Sequence, residues 1–358
     1  MKRALITIAL LALAFPAHAA PGDDIYTRPG LIATASDGAR LNLVCVGVGS
    51  PTVVFDSGYL DWSPAWATVQ PGIAKFTRNC SYDRAGSGFS GPGPLPRTSE
   101  RIATELHDAL RSAEIKGPYI LVGQAFGGDH VRAFADLFPS DVAGIVLVEA
   151  DASDVDTPEN RRDDDDGARS FVPLLKQCRD AIATGKTEFA LPPPPGRPPR
   201  KCIEGFFRGL PEREWSPELN AKLLDIARQK VAMWDADLSE LQETPADEIW
   251  LQQHSRSLGN TPVRVLTTGN HAVHFLDKPA PPTIDHLKME YDVAVAQSHW
   301  LALSSDSRQI FVEKSGEYIQ FDRPDVIVAT VHEVYDSSRA GLVSRSSLPQ
   351  AARTRRPQ

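Results

Sequence analysis

Residues 119–137 limit the fold more than any other stretch of this chain. Tyr119-Ile-Leu-Val122 is a short apolar run and reads as a buried strand. Gly123-Gln-Ala-Phe-Gly127 is a tight turn, and the following residues set Val131, Phe134 and Leu137 along one helical side. A strand that passes at once into a helix bends its backbone sharply at the turn's centre, which here is Ala125. Gly123 and Gly127, two residues to either side, carry no Cβ to clash with that bend. Further apolar runs at 52–55 and 142–148 are continuous rather than alternating, as in strands buried on both faces. Together with strands at 79–83, 263–267 and 308–312, and helical patterns between them, they predict an α/β fold with a mostly parallel sheet covered on both sides. Ligands in such sheets sit at the C-terminal strand ends, here Gly58, Asp83, Gly123 and Glu149.

The ends of the chain and its cysteines address compartment. Met1-Lys-Arg, an apolar run over 4–15 and Ala17-His-Ala19 have the form of a secretory signal with its small-residue cleavage site. The run is too short to span a bilayer, and no other stretch is long and apolar enough, so the expectation is an exported, soluble, periplasmic or secreted protein. Four cysteines suit an oxidising compartment. Local pairing joins Cys45 to Cys80, on neighbouring predicted strands, and Cys178 to Cys202, both in a later insertion. Their spacing has no metal-binding pattern. A net charge of −8 without a large basic face argues against nucleic-acid binding.

Along the chain, residues 31–48 form a hairpin pattern around Asp37-Gly38. The strand at 52–55 ends in Asp56-Ser-Gly-Tyr59, followed by Trp62 and Trp66, which either line a pocket or pack beneath a cover. The strand at 79–83 ends in Arg84-Ala-Gly-Ser-Gly-Phe-Ser, which lacks the lysine and following helix of a phosphate loop. Thr98 or Ser99 caps a helix whose apolar face is Ile102, Leu106 and Leu110. Texture changes over 155–260. An acidic run at 163–166 reads as a solvated loop in preference to a calcium site, and 191–199 is too proline-rich for helix. Ser216-Pro217-Glu218 is a helix start. Leu219, Leu223, Ala227, Val231, Trp234 and Leu238 then recur at helical spacing. This segment reads as a helical lid inserted between two sheet strands. The expected organisation is a signal peptide at 1–19, a core at 20–154 and 261–338, the lid at 155–260 and a disordered tail at 339–358.

Four motifs in order now carry a resemblance: Asp-Ser-Gly-Tyr after a buried strand, Ser-Tyr-Asp-Arg-Ala-Gly-Ser-Gly-Phe-Ser, the Gly-x-x-x-Gly-Gly turn, and Ser-Gly-x-Tyr-Ile-Gln-x-x-Arg-Pro near the end. With an insertion in the matching gap, the chain resembles the α/β-hydrolase superfamily over nearly all its mature length. The turn at Ala125 then corresponds to the nucleophile elbow. In the family that elbow reads Gly-His-Ser-x-Gly-Gly and the last motif Ser-Gly-His. Here Gln124 stands beside the centre, Ala125 replaces the nucleophilic serine, and Glu317 occupies the histidine position. The family acid could fall on Glu149, Asp151 or Asp277; Asn270 cannot serve. The resemblance implies an oxyanion hole from the backbone amides of Tyr59 and Phe126, and a ligand pocket near Tyr59, Trp62 and Trp66. No cofactor or metal is implied.

A methyl group has no lone pair and no proton to lose. A serine hydroxyl attacks only when a neighbouring imidazole takes its proton, and a carboxylate near pKa ~4.3 is a much weaker base. Loss of either group from such a unit costs about a million-fold in rate. His130, one helical turn past the elbow, reads as a helix-face residue, Ser57 as structural, and His271 and His274 as loop residues rather than replacements for the missing base. The leading expectation is a non-catalytic member that keeps a pocket for a small, apolar or ester-like ligand. A second is a non-covalent hydrolase or lyase in which Glu317 activates water. A third is a partner-binding scaffold using the lid surface.

Overall fold

A computed structural model describes residues 22–150, 158–191, 199, 201–203, 215–269 and 283–346. The signal segment, Asp151, Asn270, His271, His274 and Asp277 lie outside the described residues, as do the side chains of the acidic run. Eight strands form one sheet: β1 Leu31–Thr34, β2 Arg40–Val46, β3 Thr52–Asp56, β4 Asn79–Asp83, β5 Tyr119–Gln124, β6 Val142–Val148, β7 Val263–Thr268 and β8 Ser307–Val312. Their order is β1-β2-β4-β3-β5-β6-β7-β8. β2 runs antiparallel to both β1 and β4, and every other pairing is parallel. The longer helices among the described residues are α1 Ser99–Ser112, α2 Gly127–Leu137, α3 Pro158–Ala183, α4 Pro217–Gln229, α5 Val231–His254, α6 Ile284–Ser298 and α7 Pro324–Ser346. α3, α4 and α5 all lie in the chain between β6 and β7, two adjacent strands.

Local chemistry accounts for the element ends. The hairpin between β1 and β2 closes at Asp37-Gly38, with Gly38 at φ 91° and the Asp37 carboxylate accepting from the Ala39 N–H. Thr98 caps α1 by accepting from the Arg101 N–H, and Ser216 caps α4 by accepting from Leu219 N–H. Cys45 lies opposite Cys80 in the β2–β4 register, and the two are bonded, as are Cys178 and Cys202.

Alternation along β5 sorts its side chains. Tyr119 and Leu121 face α1 and α2, where Leu106, Leu110 and Phe134 pack, while Ile120 and Val122 face Ile327 and Val331 of α7. Each such fully buried aliphatic side chain contributes about 1.5–3 kcal/mol. A third apolar cluster lies beneath the inserted helices and joins Leu219, Leu223, Met233 and Trp234 to Trp62 and Tyr26.

Three sequence expectations are corrected. The apolar rhythm through 219–238 is not one helix, because Lys230 breaks it at φ −100°, ψ 84°. The Lys230 ammonium donates to the carbonyls of Ser87 and Gly88, at 3.0 and 2.7 Å, and to that of Ser90. The expected tail begins too early, since α7 continues to Ser346. Its turn near 335–339 is held by the Tyr335 carbonyl accepting from the Ser338 hydroxyl and by Arg339 donating to the Tyr335 hydroxyl. Trp66 does not line a pocket. It is fully buried among Val53, Phe55 and Val69, its ring 4.6 Å from that of Phe55, and its indole N–H donates to Ser57 Oγ.

Candidate functional site

The elbow sits where β5 passes into α2. Ala125 has φ 47°, the left-handed region that an L-residue enters at a cost of roughly 1–3 kcal/mol. Its N–H donates to the Val148 carbonyl on β6, and its own carbonyl accepts from Gly128. The flanking glycines are required by close approach. A β-carbon on Gly123 would lie 2.4 Å from the Gly127 carbonyl oxygen, and one on Gly127 would lie 2.5 Å from the Asp56 carbonyl oxygen. Gly58 meets the elbow from β3: a β-carbon there would fall 3.3 Å from Ala125 Cβ and 2.6 Å from Gln124 Oε1. The Asp-Ser-Gly-Tyr turn and the elbow centre are therefore in contact.

Gln124 holds that contact, its Oε1 accepting from the Gly58 N–H at 3.0 Å. The Tyr59 ring lies 5.4 Å from the Phe126 ring, and the Tyr59 hydroxyl donates to the Asp237 carbonyl on α5. Burial pushes the Tyr59 phenol well above its ordinary pKa, with Asp237 and Glu240 adding to the shift. Among the described residues, neither the Tyr59 N–H nor the Phe126 N–H has an acceptor. The Phe126 N–H stands at the N-terminus of α2, where the helix dipole favours negative charge.

Beneath the turn lies a buried charged network. Arg84 donates to Asp56 Oδ1 at 2.9 Å, to the Ser57 and Gly58 carbonyls at 2.7 and 2.9 Å, and to Glu240 Oε1 at 3.0 Å. The Arg84, Asp56 and Glu240 side chains are all buried. Tyr82 donates to Asp56 Oδ2, and His130 Nδ1 lies 3.3 Å from Asp56 Oδ1. Burial alone would raise the Asp56 pKa, but His130, Arg84 and Tyr82 together hold it below its ordinary value. Desolvation works against the Arg84 charge, and Glu240 and Asp56 outweigh it, so the guanidinium stays ionised. Asp237 is pushed the other way. Burial and the neighbouring Glu240 raise it well above the carboxylate range, and its Oδ2 has no hydrogen-bond partner. Nearby, burial lowers the Lys230 ammonium to about 8 and raises the Asp247 carboxyl to about 6. Asp247 still accepts from the Ser99 N–H and hydroxyl, joining α5 to the start of α1.

The remaining sequence candidates fall as follows. Ser57 is buried, its hydroxyl donating to the Trp62 carbonyl and accepting from Trp66. Trp62 packs into the cluster under the inserted helices. His130 is buried against Asp56 rather than lying on an open helix face. Glu149, at φ 47° after β6, receives the Thr268 N–H and, at 3.4 Å, the Gln297 amide, which ties it to β7 and α6. Glu317 is half-buried in the loop after β8, just past Gly316, whose N–H donates to Asp322. Sequence reading missed the Arg84–Asp56–Glu240 network. The signal available was a charged residue at or just past the ends of β3 and β4, where a solvated loop was equally consistent. Among the described residues no group of three or more His, Cys, Asp or Glu side chains could hold a metal ion, and no helix is long and apolar enough to cross a membrane.

Comparison with known proteins agrees with this architecture. Residues 51–177 match the family described as alpha/beta hydrolase fold. The uncharacterized protein YqjL of Bacillus subtilis is 32% identical over 293 residues, covering 81% of this chain and 85% of the relative. A 2-hydroxy-6-oxo-2,4-heptadienoate hydrolase of Pseudomonas putida is 33% identical over 117 residues, covering 32% of this chain and 42% of that enzyme. The crystal structure of Cfl2 from Burkholderia cenocepacia superposes with a TM-score of 0.60 at 18% identity, covering 84% of this chain and 94% of that one, a likeness of fold alone. The sheet order, the strained elbow and the length of the match to YqjL place this chain in the α/β-hydrolase superfamily.

Proposed function

We propose that this chain is a non-catalytic member of its superfamily, unable to act as a serine hydrolase, that binds a small ligand through a carbonyl or related oxygen at the elbow. One observation carries the reading: among the described residues the N–H groups of Tyr59 and Phe126, which follow Gly58 and Ala125 in the chain, have no acceptor, and Gly58 lies against the Ala125 methyl. Such donors stabilise an oxygen placed between them. With no nucleophile at Ala125 and no imidazole at position 317, a bound ester would be held and not cleaved. The apolar rings of Tyr59 and Phe126 suit an apolar body on the ligand. The inserted helices would roof this pocket, a reading supported by the Tyr59–Asp237 and Arg84–Glu240 bonds. The apolar leader, its cleavage pattern and two disulfides support export.

The test uses short p-nitrophenyl esters and ketones of the same shape. The unaltered protein should bind both, by calorimetry, show no turnover and take no label from a serine-directed phosphonate. Ala125→Ser alone should stay inactive for want of a base, while Ala125→Ser with Glu317→His should acquire measurable turnover. Steady hydrolysis, or a covalent adduct on the unaltered chain by mass spectrometry, would overturn the proposal.

A further inference from the structure

Ahead of β1, Asp23–Thr27 forms a short 3₁₀ helix. Side chains three residues apart on such a helix lie over one another, so Asp23 and Tyr26 share one side of it. Both are buried, whereas Asp24 between them is exposed. The Tyr26 end is rooted in the sheet. Its hydroxyl donates to Gln70 Oε1, and the Gln70 amide donates to the Val44 carbonyl of β2 at 3.0 Å and to Asn79 Oδ1 of β4 at 2.9 Å. The Asp23 end is bonded to the inserted helices: Asp23 Oδ2 accepts from the Ser216 N–H, 193 residues away, at 2.7 Å.

That bond completes the head of α4. Ser216 Oγ accepts from the Leu219 N–H at 3.2 Å, and the Ser216 carbonyl accepts from the Asn220 N–H at 3.0 Å. A helix headed by serine commonly closes this pattern with a glutamate or glutamine three residues on, which accepts from the serine N–H. Here that position is Leu219, which has no side-chain oxygen. Asp23 supplies the carboxylate from a distant part of the chain, at a helix end whose dipole favours it.

The apolar contacts lead on to the elbow. One cluster takes in Tyr26, Trp62, Leu219 and Leu223, and Ile25, Tyr59 and Phe126 pack against it. The 3₁₀ segment and the two elbow rings therefore border the same apolar mass, to which α4 contributes. α5 has its own fixings: Glu240 to Arg84, Ser239 to the Arg97 N–H and Asp247 to Ser99. α4 meets α5 at the break at Lys230, whose ammonium fixes the foot of α4 on the carbonyls of Ser87 and Gly88. The Asp23 bond fixes the head.

We propose that Asp23–Thr27 is a latch on α4. Its bond to Ser216 keeps α4 closed over the elbow, and when that bond opens α4 swings out about Lys230, which is how a ligand enters and leaves. The latch stands on the contacts above; its role in ligand entry rests on the ligand reading of the elbow.

Amide hydrogen exchange on the mature protein tests the latch with no ligand present. A hydrogen bond to a charged acceptor shifts an equilibrium about ten- to hundredfold, so Asp23→Ala should speed exchange over residues 219–227 by about that factor. α5 and β5 should keep their rates. Asp23→Asn keeps an acceptor oxygen and should restore the protection. Tyr26→Phe leaves the ring packed but removes the bond to Gln70, and should speed the same amides by a smaller factor. Stopped-flow fluorescence with 4-nitrophenylacetone, a ketone of the shape of p-nitrophenyl acetate, reads ligand entry. Asp23→Ala should raise the association and dissociation rates together and leave the dissociation constant nearly unchanged. Exchange over 219–227 that ignores Asp23→Ala, or that rises equally in α5 and β5, would overturn the latch. Faster exchange with unaltered ligand rates would overturn its role in entry. If the ketone fails to bind the unaltered protein, the ligand reading falls and the entry role with it, while the exchange rates still decide the latch.

Discussion

Arg84 is the side chain on which the joint between the inserted helices and the elbow depends, and its replacement should show it. Arg84→Met keeps the length and apolar stem but removes four donated hydrogen bonds at 2.7–3.0 Å. Two of the acceptors are carboxylates on buried side chains, Asp56 from β3 and Glu240 from α5. Breaking a buried ion pair from one side leaves a charge without compensation and costs about 3–5 kcal/mol. With two carboxylates and two carbonyls released, the upper part of that range is expected. A protein of this size has a urea m-value of about 3 kcal/mol per molar or more, so the midpoint should fall by about 1–1.5 M with m unchanged. Tryptophan fluorescence and far-ultraviolet circular dichroism should report the same midpoint. Arg84→Lys restores the charge without the planar fork and should recover part of the loss. Glu240→Gln keeps an acceptor for the Arg84 Nε–H and should cost less than Arg84→Met. If Arg84→Met lost under 1 kcal/mol, the network would not be what holds α5 to the turn, and the positioning of Tyr59 would need another cause.

Two further outcomes follow from the same region. Asp237 holds its proton more tightly folded than unfolded, so the native state binds more protons between the two pKa values and stability falls as pH rises across that window. Asp237→Asn cannot ionise, and its melting temperature should gain on that of the unaltered chain as pH is raised from 4 to 8; a constant difference would refute the assignment. Ala125→Gly removes the roughly 1–3 kcal/mol penalty of φ 47° but adds about 0.4–1 kcal/mol of unfolded-state entropy, so stability by urea titration should stay unchanged or rise by up to about 2.5 kcal/mol. A loss beyond 2 kcal/mol would mean the methyl itself is packed as structure.

What could be read beforehand was local. Asp37-Gly38 announces its hairpin because only a few residues tolerate the turn, and Thr98 and Ser216 announce helix starts because their oxygens satisfy amides the helix leaves open. The spacing of Gly123 and Gly127 reports a crowding that the structure measures in ångströms. The break at Lys230 was hidden because the apolar positions keep their rhythm through it. What ends the helix is a cation drawn to carbonyls 140 or more residues away in sequence. The Arg84–Glu240 pair, 156 residues apart, is invisible for the same reason. Charged residues in a single sequence look solvated until the fold buries them. Trp66 misled because aromatic residues near a strand end serve pockets and cores alike, and only its contacts with Phe55 and Ser57 decide between them.

The strain at Ala125 is held in a residue with no hydroxyl to aim, and the bonds around it explain why. In an active elbow the left-handed backbone aims a hydroxyl, whereas here it aims a methyl group. The conformation is nevertheless fixed from three directions: the Ala125 N–H is committed to β6 through Val148, its carbonyl to Gly128 in α2, and Gly127 lies against the Asp56 carbonyl of β3. Relaxing φ at Ala125 would break at least two backbone hydrogen bonds in a buried setting, at about 1–3 kcal/mol for each group left unsatisfied, which is more than the strain relieved. The elbow is thus a structural joint of the sheet, and with alanine at its centre the joint is intact. The same constraint holds Phe126 at the head of α2. On the other side, Gln124 and Arg84 fix the turn that carries the Tyr59 N–H. A scaffold whose fold depends on this geometry keeps the elbow strained with alanine at its centre, as it would with serine.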